Sequence, residues 1–126
     1  MLRNDLYTMD PVTEHNAVLQ VPVRLNIHHP IFKGHFPGQP VLPGVCMLEM
    51  IQEIMEEYTK QKLRISRGPL IKFLAMIVPD RNPSIVVEAL HDKRDGKIMV
   101  NGKIFHGSTV FMKYDLELIP EPGCQI

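Results

Sequence analysis

The sequence predicts an α+β fold in which an antiparallel β-sheet wraps around one long central helix. The helix is indicated by residues 45–55, where eight of eleven residues are apolar, because a helix that is apolar around most of its circumference is normally buried. Apolar and polar residues alternate over 17–27, which is typical of a half-buried strand. Arg94-Asp95-Gly96 separates two further apolar runs and is typical of a hairpin turn, so neighbouring strands are expected to be antiparallel.

The remaining elements are predicted from proline, glycine and the apolar runs. The central helix should start at Pro43 or Gly44, since proline is tolerated in a first turn, and end between Tyr58 and Gln61. Pro22 indicates an edge position or a bulge in the first strand. Asn101-Gly102 is interpreted as a bulge, and a short helix is expected near 11–15. Buried or half-buried strands are predicted over 70–78, 84–91, 97–105 and 108–118, with a loose tail after Ile119.

Composition indicates one soluble globular domain over residues 1–126. The 14 basic and 14 acidic residues give a net charge of zero, which does not indicate a general affinity for nucleic acid. Two cysteines, Cys46 and Cys124, do not make a disulfide framework. The first residues lack the apolar segment of a secretory signal, and no window reaches membrane-spanning length. The expected location is the cytoplasm.

A turn-rich segment leads into the central helix. Three glycines and three prolines fall within the eleven residues 34–44, and together they hold the backbone in one unusual path. This segment contains His35, and Glu49 follows fourteen residues later inside the apolar helix. Val41 and Leu42 offer no side-chain oxygen to cap the first helical N–H groups, so the helix start is a natural seat for negative charge. Glu49 is expected to be buried, and therefore hydrogen-bonded, protonated or both.

The motif G-H-F-P-G-Q-P-V-L-P-G-V, followed after three residues by Glu49, resembles the signature of the 3-hydroxyacyl-acyl-carrier-protein dehydratases, which have the hotdog fold. The resemblance is dense over residues 30–49 and looser over 18–118. It implies that His35 and Glu49 are the catalytic pair. It also implies that the N–H of Gly44, with that of Val45, binds the thioester carbonyl. The residues expected to line an acyl-chain tunnel are Phe36, Pro43, Met47 and Phe73.

The chemistry of this reaction suits the two residues. Imidazole is well poised near pH 7 to remove the C2 proton, which assigns His35 as base. The leaving C3 hydroxyl needs a proton, which a carboxylic acid held neutral by burial at Glu49 would supply. No cofactor is expected. A metal site at His28, His29 and His35 is not expected either, because no partner has ligand spacing and adjacent strand residues point to opposite faces.

The resemblance also implies partners. These are an acyl carrier protein bearing the 3-hydroxyacyl chain and a second copy of the chain in a homodimer that completes each site, with a hexamer of three dimers as a further possibility. No nucleic-acid partner and no membrane insertion are expected. Residues 60–72 carry five basic and no acidic side chains, and are interpreted as a solvated loop or as part of a docking surface for an acidic carrier.

The sequence departs from the family pattern at Glu53, where Gln is usual, and this change could alter the polar surroundings of Glu49. The acid is Glu rather than Asp, which disfavours the double-bond isomerisation that accompanies Asp in the family. Two alternative functions stay open. One is a hotdog acyl thioesterase, and the other is a non-catalytic, carrier-binding subunit of a dehydratase pair.

Overall fold

Over the part of the chain that the structure describes, the sheet contains seven strands, and every paired neighbour runs antiparallel. The computed structural model describes residues 2–34 and 41–121. The strand order is β1-β3-β5-β6-β7-β4, and β2 pairs with β3 next to β1. The elements in chain order are β1 (Tyr7–Met9), β2 (Thr13–His15), β3 (Val18–Leu25), α1 (Ile31–Gly34), α2 (Gly44–Thr59), β4 (Leu63–Phe73), β5 (Ser84–Arg94), β6 (Lys97–His106) and β7 (Thr109–Pro120).

The core lies between α2 and one face of the sheet. Successive strand side chains point to opposite faces, so alternate residues of β3, β5, β6 and β7 face inward and are buried. The helix contributes an apolar surface that packs against them, as predicted from residues 45–55. This is the hotdog arrangement that the family resemblance implies. The buried set includes Leu19, Val21, Val23, Ile85, Val87, Val100, Ile104, Met112, Tyr114 and Leu116 from the sheet, and Met50, Ile51, Ile54 and Met55 from the helix.

The helix has the predicted limits. It starts at Gly44, directly after Pro43. It ends at Thr59 because Lys60 adopts the left-handed conformation, with φ 59°, and donates its backbone N–H to the Glu56 carbonyl. A left-handed residue after the last turn is a common helix stop.

The helix predicted near 11–15 is wrong. Thr13–His15 forms β2 and pairs with Val18–Gln20 of β3. Asn16 and Ala17 both have positive φ, 52° and 65°, which is the backbone of the tight turns that join hairpin strands. The short β2 carries too few apolar residues for its strand period to be visible in the sequence.

Pro22 lies opposite a break in the neighbouring strands. Within β3, Val23–Leu25 pairs with β1 and Val18–Gln20 pairs with β2, so that Pro22 lies between the two paired segments. The Pro22 carbonyl accepts the Asp10 N–H at 2.9 Å within this break. Because N–H and C=O of one strand residue point to the same side, the missing proline donor faces the interruption. The lack of an N–H at Pro22 therefore costs no strand hydrogen bond on this side, as at a sheet edge, although β3 as a whole is paired on both sides.

The predictions for residues 60–78 are wrong in two respects. The basic stretch is not a loop, because β4 runs over Leu63–Phe73 and pairs with β7. The apolar run 70–78 is not a buried strand, because the strand ends at Phe73 and residues 66–76 are all exposed. Register shifts at 65–67 and 67–70 interrupt the pairing, so the period-2 pattern that would have shown the strand is lost.

Ser66, within the first of these irregularities, binds a buried carboxylate. Its hydroxyl donates to Glu117 Oε2 at 2.7 Å, and only 6% of Glu117 is exposed. This hydrogen bond lowers the pKa of Glu117, with a smaller lowering from Lys97. A carboxyl whose pKa is lower in the folded than in the unfolded state adds stability above its unfolded pKa, and loses it as the pH falls through the folded pKa.

We therefore expect Ser66→Ala to destabilise the protein at pH 7 and to have a smaller effect at about pH 3, below the ordinary glutamate range. Urea unfolding of wild type and variant at both pH values measures this difference. An equal loss of unfolding free energy at the two pH values would show that Ser66 does not act through the Glu117 carboxylate.

The β5–β6 hairpin is confirmed, with Asp95 and Gly96 in the turn at φ 52° and 77°. The predicted bulge at Asn101-Gly102 is wrong, because both residues pair in regular register with β5 and β7. The irregularity lies instead between Ile104 and Phe105. Gly102 has another reason to be glycine, since a Cβ there would overlap the backbone carbonyl oxygen of Glu88.

Within the described residues, no helix is both long enough and apolar enough to cross a membrane. The tail is paired as far as Pro120 in β7, and Glu121 donates its backbone N–H to the Lys62 carbonyl at 3.0 Å. The rest of the predicted loose tail, with Cys124, lies outside the described residues.

Candidate functional site

A pocket of about 250 Å³ opens at the start of α2. It lies between the helix start and the segment that follows β4. Four of the predicted site residues line this pocket, namely Pro43, Gly44, Met47 and Phe73. The lining is completed by Val41, Leu42, Ala75 and Met76. The structure therefore brings together the described part of the predicted tunnel.

Phe73 lies against the first residue of the helix. A Cβ added to Gly44 would stand 2.6 Å from the tip of the Phe73 ring, closer than any side chain permits. Glycine at position 44 thus lets the aromatic ring approach the helix backbone. The ring itself is 52% exposed in the single chain, so it forms a wall of the pocket rather than part of the core.

The helix start has unused backbone donors. Pro43 precedes it with φ −63° and ψ 144°, and no side chain caps the helix. Cys46 and Met47 donate their N–H groups to the Pro43 carbonyl at 3.1 and 3.4 Å. Among the described residues, no acceptor meets the N–H groups of Gly44 and Val45. These two donors sit at the positive end of the helix dipole, where negative charge is stabilised.

Glu49 does not lie in this pocket within one chain. Its side chain is exposed, so the expectation of a buried carboxylate is wrong for the isolated chain. It shares a helix face with Val45, one turn earlier, which is 72% exposed. Val45 and Glu49 therefore lie on an exposed stripe of α2, one residue apolar and the other acidic. His35 and Phe36 lie outside the described residues, so their predicted roles stay predictions.

Glu53 has a different role from the one considered from the sequence. Its side chain is buried, 4% exposed, and it accepts three hydrogen bonds. The donors are the backbone N–H of Leu2 at 2.8 Å, the backbone N–H of Arg3 at 2.9 Å and the Tyr7 hydroxyl at 2.9 Å. The carboxylate thus attaches the N-terminal segment to α2. Sequence reasoning missed this, although an acidic residue on the inward side of an apolar helix signals that donors must reach it.

Tyr7 stays protonated because of this arrangement. Burial raises the pKa of the Tyr7 hydroxyl, and its hydrogen bond to the Glu53 carboxylate raises it further. A protonated phenol is the state that can donate, so the hydrogen bond persists throughout the physiological pH range.

Cys46 is free and buried. Burial raises the pKa of its thiol, and the nearby Glu49 carboxylate raises it further. The thiolate is the reactive form of cysteine, so Cys46 is kept in its unreactive state and is unsuited to be a nucleophile for acyl transfer.

His28 and His29 lie between β3 and α1. The strand ends before them, as predicted, but the prediction that they point to opposite faces of a strand is wrong. His29 Nδ1 accepts the Ile31 N–H at 3.0 Å, and its Nε2 lies 3.2 Å from Asp5 Oδ2. Both ring nitrogens are therefore engaged in shaping the turn. In the part of the chain that the structure describes, no group of three or more His, Cys, Asp or Glu side chains could hold a metal ion. The absence of a metal at His35 stays a prediction.

Comparison with known proteins extends the motif resemblance to most of the chain. The family described as ApeI-like, ApeI dehydratase, matches residues 11–108. The 3-hydroxyacyl-[acyl-carrier-protein] dehydratase FabZ of Haemophilus influenzae is 29% identical over 93 residues, which cover 64% of this chain and 63% of the relative. The protein of the same name from Streptococcus pyogenes is 36% identical over 83 residues, covering 60% and 58%.

The fold has solved counterparts. The dehydratase heterocomplex ApeI:P from Xenorhabdus doucetiae contains a chain that superposes with a TM-score of 0.68 at 16% identity, over 88% of this chain and 96% of that one. At this identity the likeness concerns the fold alone. The chain spans about 63% of the length of the first curated relatives it matches. Because the family match runs over residues 11–108 of the 126-residue sequence, the chain belongs to the ApeI-like dehydratase family.

Proposed function

We propose that this protein dehydrates 3-hydroxyacyl thioesters, held on an acyl carrier protein, to trans-2-enoyl thioesters. The observation that carries the proposal is the pocket at the start of α2, which has apolar walls and two N–H donors without acceptors among the described residues. Such donors stabilise the negative charge that develops on a thioester oxygen when its C2 proton is removed. The FabZ relatives act by name on substrates of this class.

The proposed reaction balances with two protein groups. His35 takes the proton from C2, and the electron pair of that C–H bond becomes the C2–C3 double bond. The C3–O bond breaks, and the leaving hydroxyl takes a proton from Glu49 and departs as water. Gly44 and Val45 donate to the thioester oxygen in between, while Phe73 and Met47 contact the acyl chain. Return of the proton from His35 to Glu49 through solvent restores both groups. The products are one enoyl thioester and one water, so no cofactor is required.

We further propose a homodimer, formed through the edge of the sheet at β4. This strand is last in the sheet order and exposes the apolar residues Leu70, Ile71 and Phe73. Natural proteins rarely leave a long apolar edge strand uncovered. A second copy along this edge would also cover the exposed stripe of α2, and so account for an acid that lies at the surface of the single chain.

Light scattering after size-exclusion chromatography tests the dimer. We expect the mass of two chains for the wild-type protein and of one chain for Ile71→Lys. Val12→Lys is the matched control, because both residues are 36% exposed and Val12 lies away from β4. A dimer that survives Ile71→Lys as well as it survives Val12→Lys would remove the β4 edge from the interface.

Turnover of a chain-length series of 3-hydroxyacyl thioesters tests the function. Wild type should form the enoyl product, and His35→Ala should not. Release of free thiol would instead indicate a thioesterase, and activity that appears only after adding a partner dehydratase would indicate a non-catalytic subunit. Equal rates for wild type and His35→Ala would contradict the assigned chemistry.

Phe73→Ala should raise KM more than it lowers kcat, because it removes a wall of the pocket without removing a donor. Loss of this contact area is expected to weaken binding of the acyl chain by roughly ten- to hundredfold, in line with the 1.5–3 kcal/mol of a buried large apolar side chain. Leu74→Ala is the control, since Leu74 is 46% exposed and does not line the pocket. A matching KM for the two variants would exclude Phe73 from substrate binding.

A further inference from the structure

The segment between β4 and β5 forms one wall of the pocket at the start of α2. Residues 74–78, which we call the wall segment, follow directly after Phe73, and two of them, Ala75 and Met76, line the pocket. The wall segment belongs to neither a helix nor a strand. Its backbone groups therefore need individual partners, and the position of the wall depends on those partners.

Backbone groups anchor the wall segment at two points. The Phe111 carbonyl accepts the N–H groups of Leu74 and Ala75 at 2.8 and 3.3 Å. The Ile77 carbonyl accepts the N–H of Leu42 at 2.8 Å, and Leu42 itself lines the pocket. Because all these groups belong to the main chain, they are present whichever side chains stand at these positions.

The last residue of the wall segment is held by a side chain. Asn82 Oδ1 accepts the Val78 N–H at 3.3 Å, and the Asn82 N–H donates to the Val78 carbonyl at 2.7 Å. Asn82 thus binds both backbone groups of Val78, as a paired residue does in an antiparallel sheet. Among the described residues, the Val78 N–H has no other acceptor, so this half of the contact depends on the asparagine side chain.

Asn82 is itself fixed from the other side. Pro83 follows it with a restricted φ, and the Pro83 carbonyl accepts the N–H of Leu25, the last residue of β3, at 2.7 Å. Strand β5 then begins at Ser84, and Ile85 is buried in the core. The side-chain amide of Asn82 therefore connects the wall segment to a part of the sheet that is already anchored.

Resting on the proposed function, we infer that Asn82 is a positioning residue for the dehydratase site. Its side-chain oxygen holds Val78, and so fixes the wall against which the acyl chain packs. Asn82 does not line the pocket itself. Loss of its oxygen frees one end of the wall segment, while the hydrogen bonds at Phe111 and Ile77 remain. Substrate binding then weakens, and the groups that transfer protons are unaffected.

The kinetics of three variants test this inference. Asn82→Ala removes the acceptor, and Asn82→Asp keeps an oxygen in its place. Asn101→Ala is the matched control, because Asn101 is exposed and pairs with Leu90 and Asp115 rather than with the wall segment. We expect Asn82→Ala to raise KM for a 3-hydroxyoctanoyl thioester roughly two- to tenfold, the equivalent of one net hydrogen bond, with kcat near that of wild type. The other two variants should resemble wild type.

Acyl-chain length separates positioning of the wall from a general loss of structure. A 3-hydroxybutyryl thioester has only a methyl group beyond its hydroxylated carbon, so it places little chain against the wall. We expect its KM to change less in Asn82→Ala than that of the 3-hydroxyoctanoyl substrate. An unchanged KM for the longer substrate, an equal rise for both, or no recovery in Asn82→Asp would overturn the inference.

Hydrogen exchange tests the anchor without turnover. The Val78 amide should exchange faster in Asn82→Ala than in wild type, and so should the Leu42 amide, which donates to Ile77 in the wall segment. If wild type formed no enoyl product, the proposed function would fail, and these two amides would then decide the role of Asn82. Faster exchange at both supports positioning of the pocket wall, and unchanged exchange at Leu42 refutes it.

Discussion

Glu49→Gln is expected to lower kcat for a 3-hydroxyacyl thioester by about a hundredfold to ten-thousandfold, the range over which a positioned general acid or base contributes. Glutamine keeps the size and polarity of the side chain but cannot donate a proton to the leaving hydroxyl. Because Glu49 is exposed in the single chain, the folded state should tolerate the change. Steady-state kinetics together with a thermal unfolding curve separates loss of chemistry from loss of structure.

Glu57→Gln is the matched control for this prediction. It lies two turns further along α2, is partly exposed, and pairs with Arg3 at 2.7 Å. Surface ion pairs contribute little to stability, so this variant should retain near wild-type kcat and Tm. A loss of activity in Glu57→Gln as large as in Glu49→Gln would show that carboxylate charge on the helix matters in general, and not the acid at position 49.

Glu53→Leu is expected to reduce the free energy of unfolding by about 2 to 4 kcal/mol. The substitution removes the acceptor for the Leu2 N–H, the Arg3 N–H and the Tyr7 hydroxyl, and each buried donor left without a partner costs about 1–3 kcal/mol. Part of that cost is avoided if the N-terminal segment detaches and is hydrated. For a domain of this size the change corresponds to a fall in Tm of roughly ten degrees.

Glu53→Gln removes the charge of this side chain but keeps its shape, and so separates the two contributions to stability. The amide oxygen can still accept, but the NH₂ group faces donors where the carboxylate offered a second oxygen. We therefore expect a loss of stability between those of wild type and Glu53→Leu. Calorimetric unfolding of the three proteins measures the order, and hydrogen exchange at residues 2–7 reports whether the N-terminal segment detaches. Wild-type stability in Glu53→Leu would mean that the three hydrogen bonds do not hold this segment.

The fold was predictable where one side of an element is buried and the other is not. The alternation over β3 and the apolar run of α2 were therefore visible in the sequence, and so was the turn at Asp95-Gly96. Strand β4 was not, because two register shifts interrupt its period and its apolar residues are exposed in the single chain. Apolar composition predicted burial there, whereas the structure shows an uncovered sheet edge.

The candidate site was predictable at the start of α2 and less so along the helix. Pro43-Gly44 indicated where the helix starts, and Val41 and Leu42 before it offered no cap. Among the described residues, the structure shows no acceptor for the N–H groups of Gly44 and Val45. The apolar neighbours of Glu49 predicted burial, but the period of the helix places Glu49 with Val45 on an exposed stripe. The need of Glu53 for hydrogen-bond donors could have been predicted, but the identity of its partners could not, because they lie 46 to 51 residues away and only the fold brings them together.

Mass analysis of the product from a 3-hydroxyacyl carrier thioester tests the central claim most directly. The proposed chemistry predicts that wild-type protein converts the carrier-bound chain to a species lighter by one water, with the thioester intact. It also predicts that deuterium from solvent enters C2 when the reaction runs in reverse from the enoyl thioester. An unchanged carrier-bound chain, or a carrier returned with its thiol free, would contradict the claim that the pocket at the start of α2 is a dehydratase site.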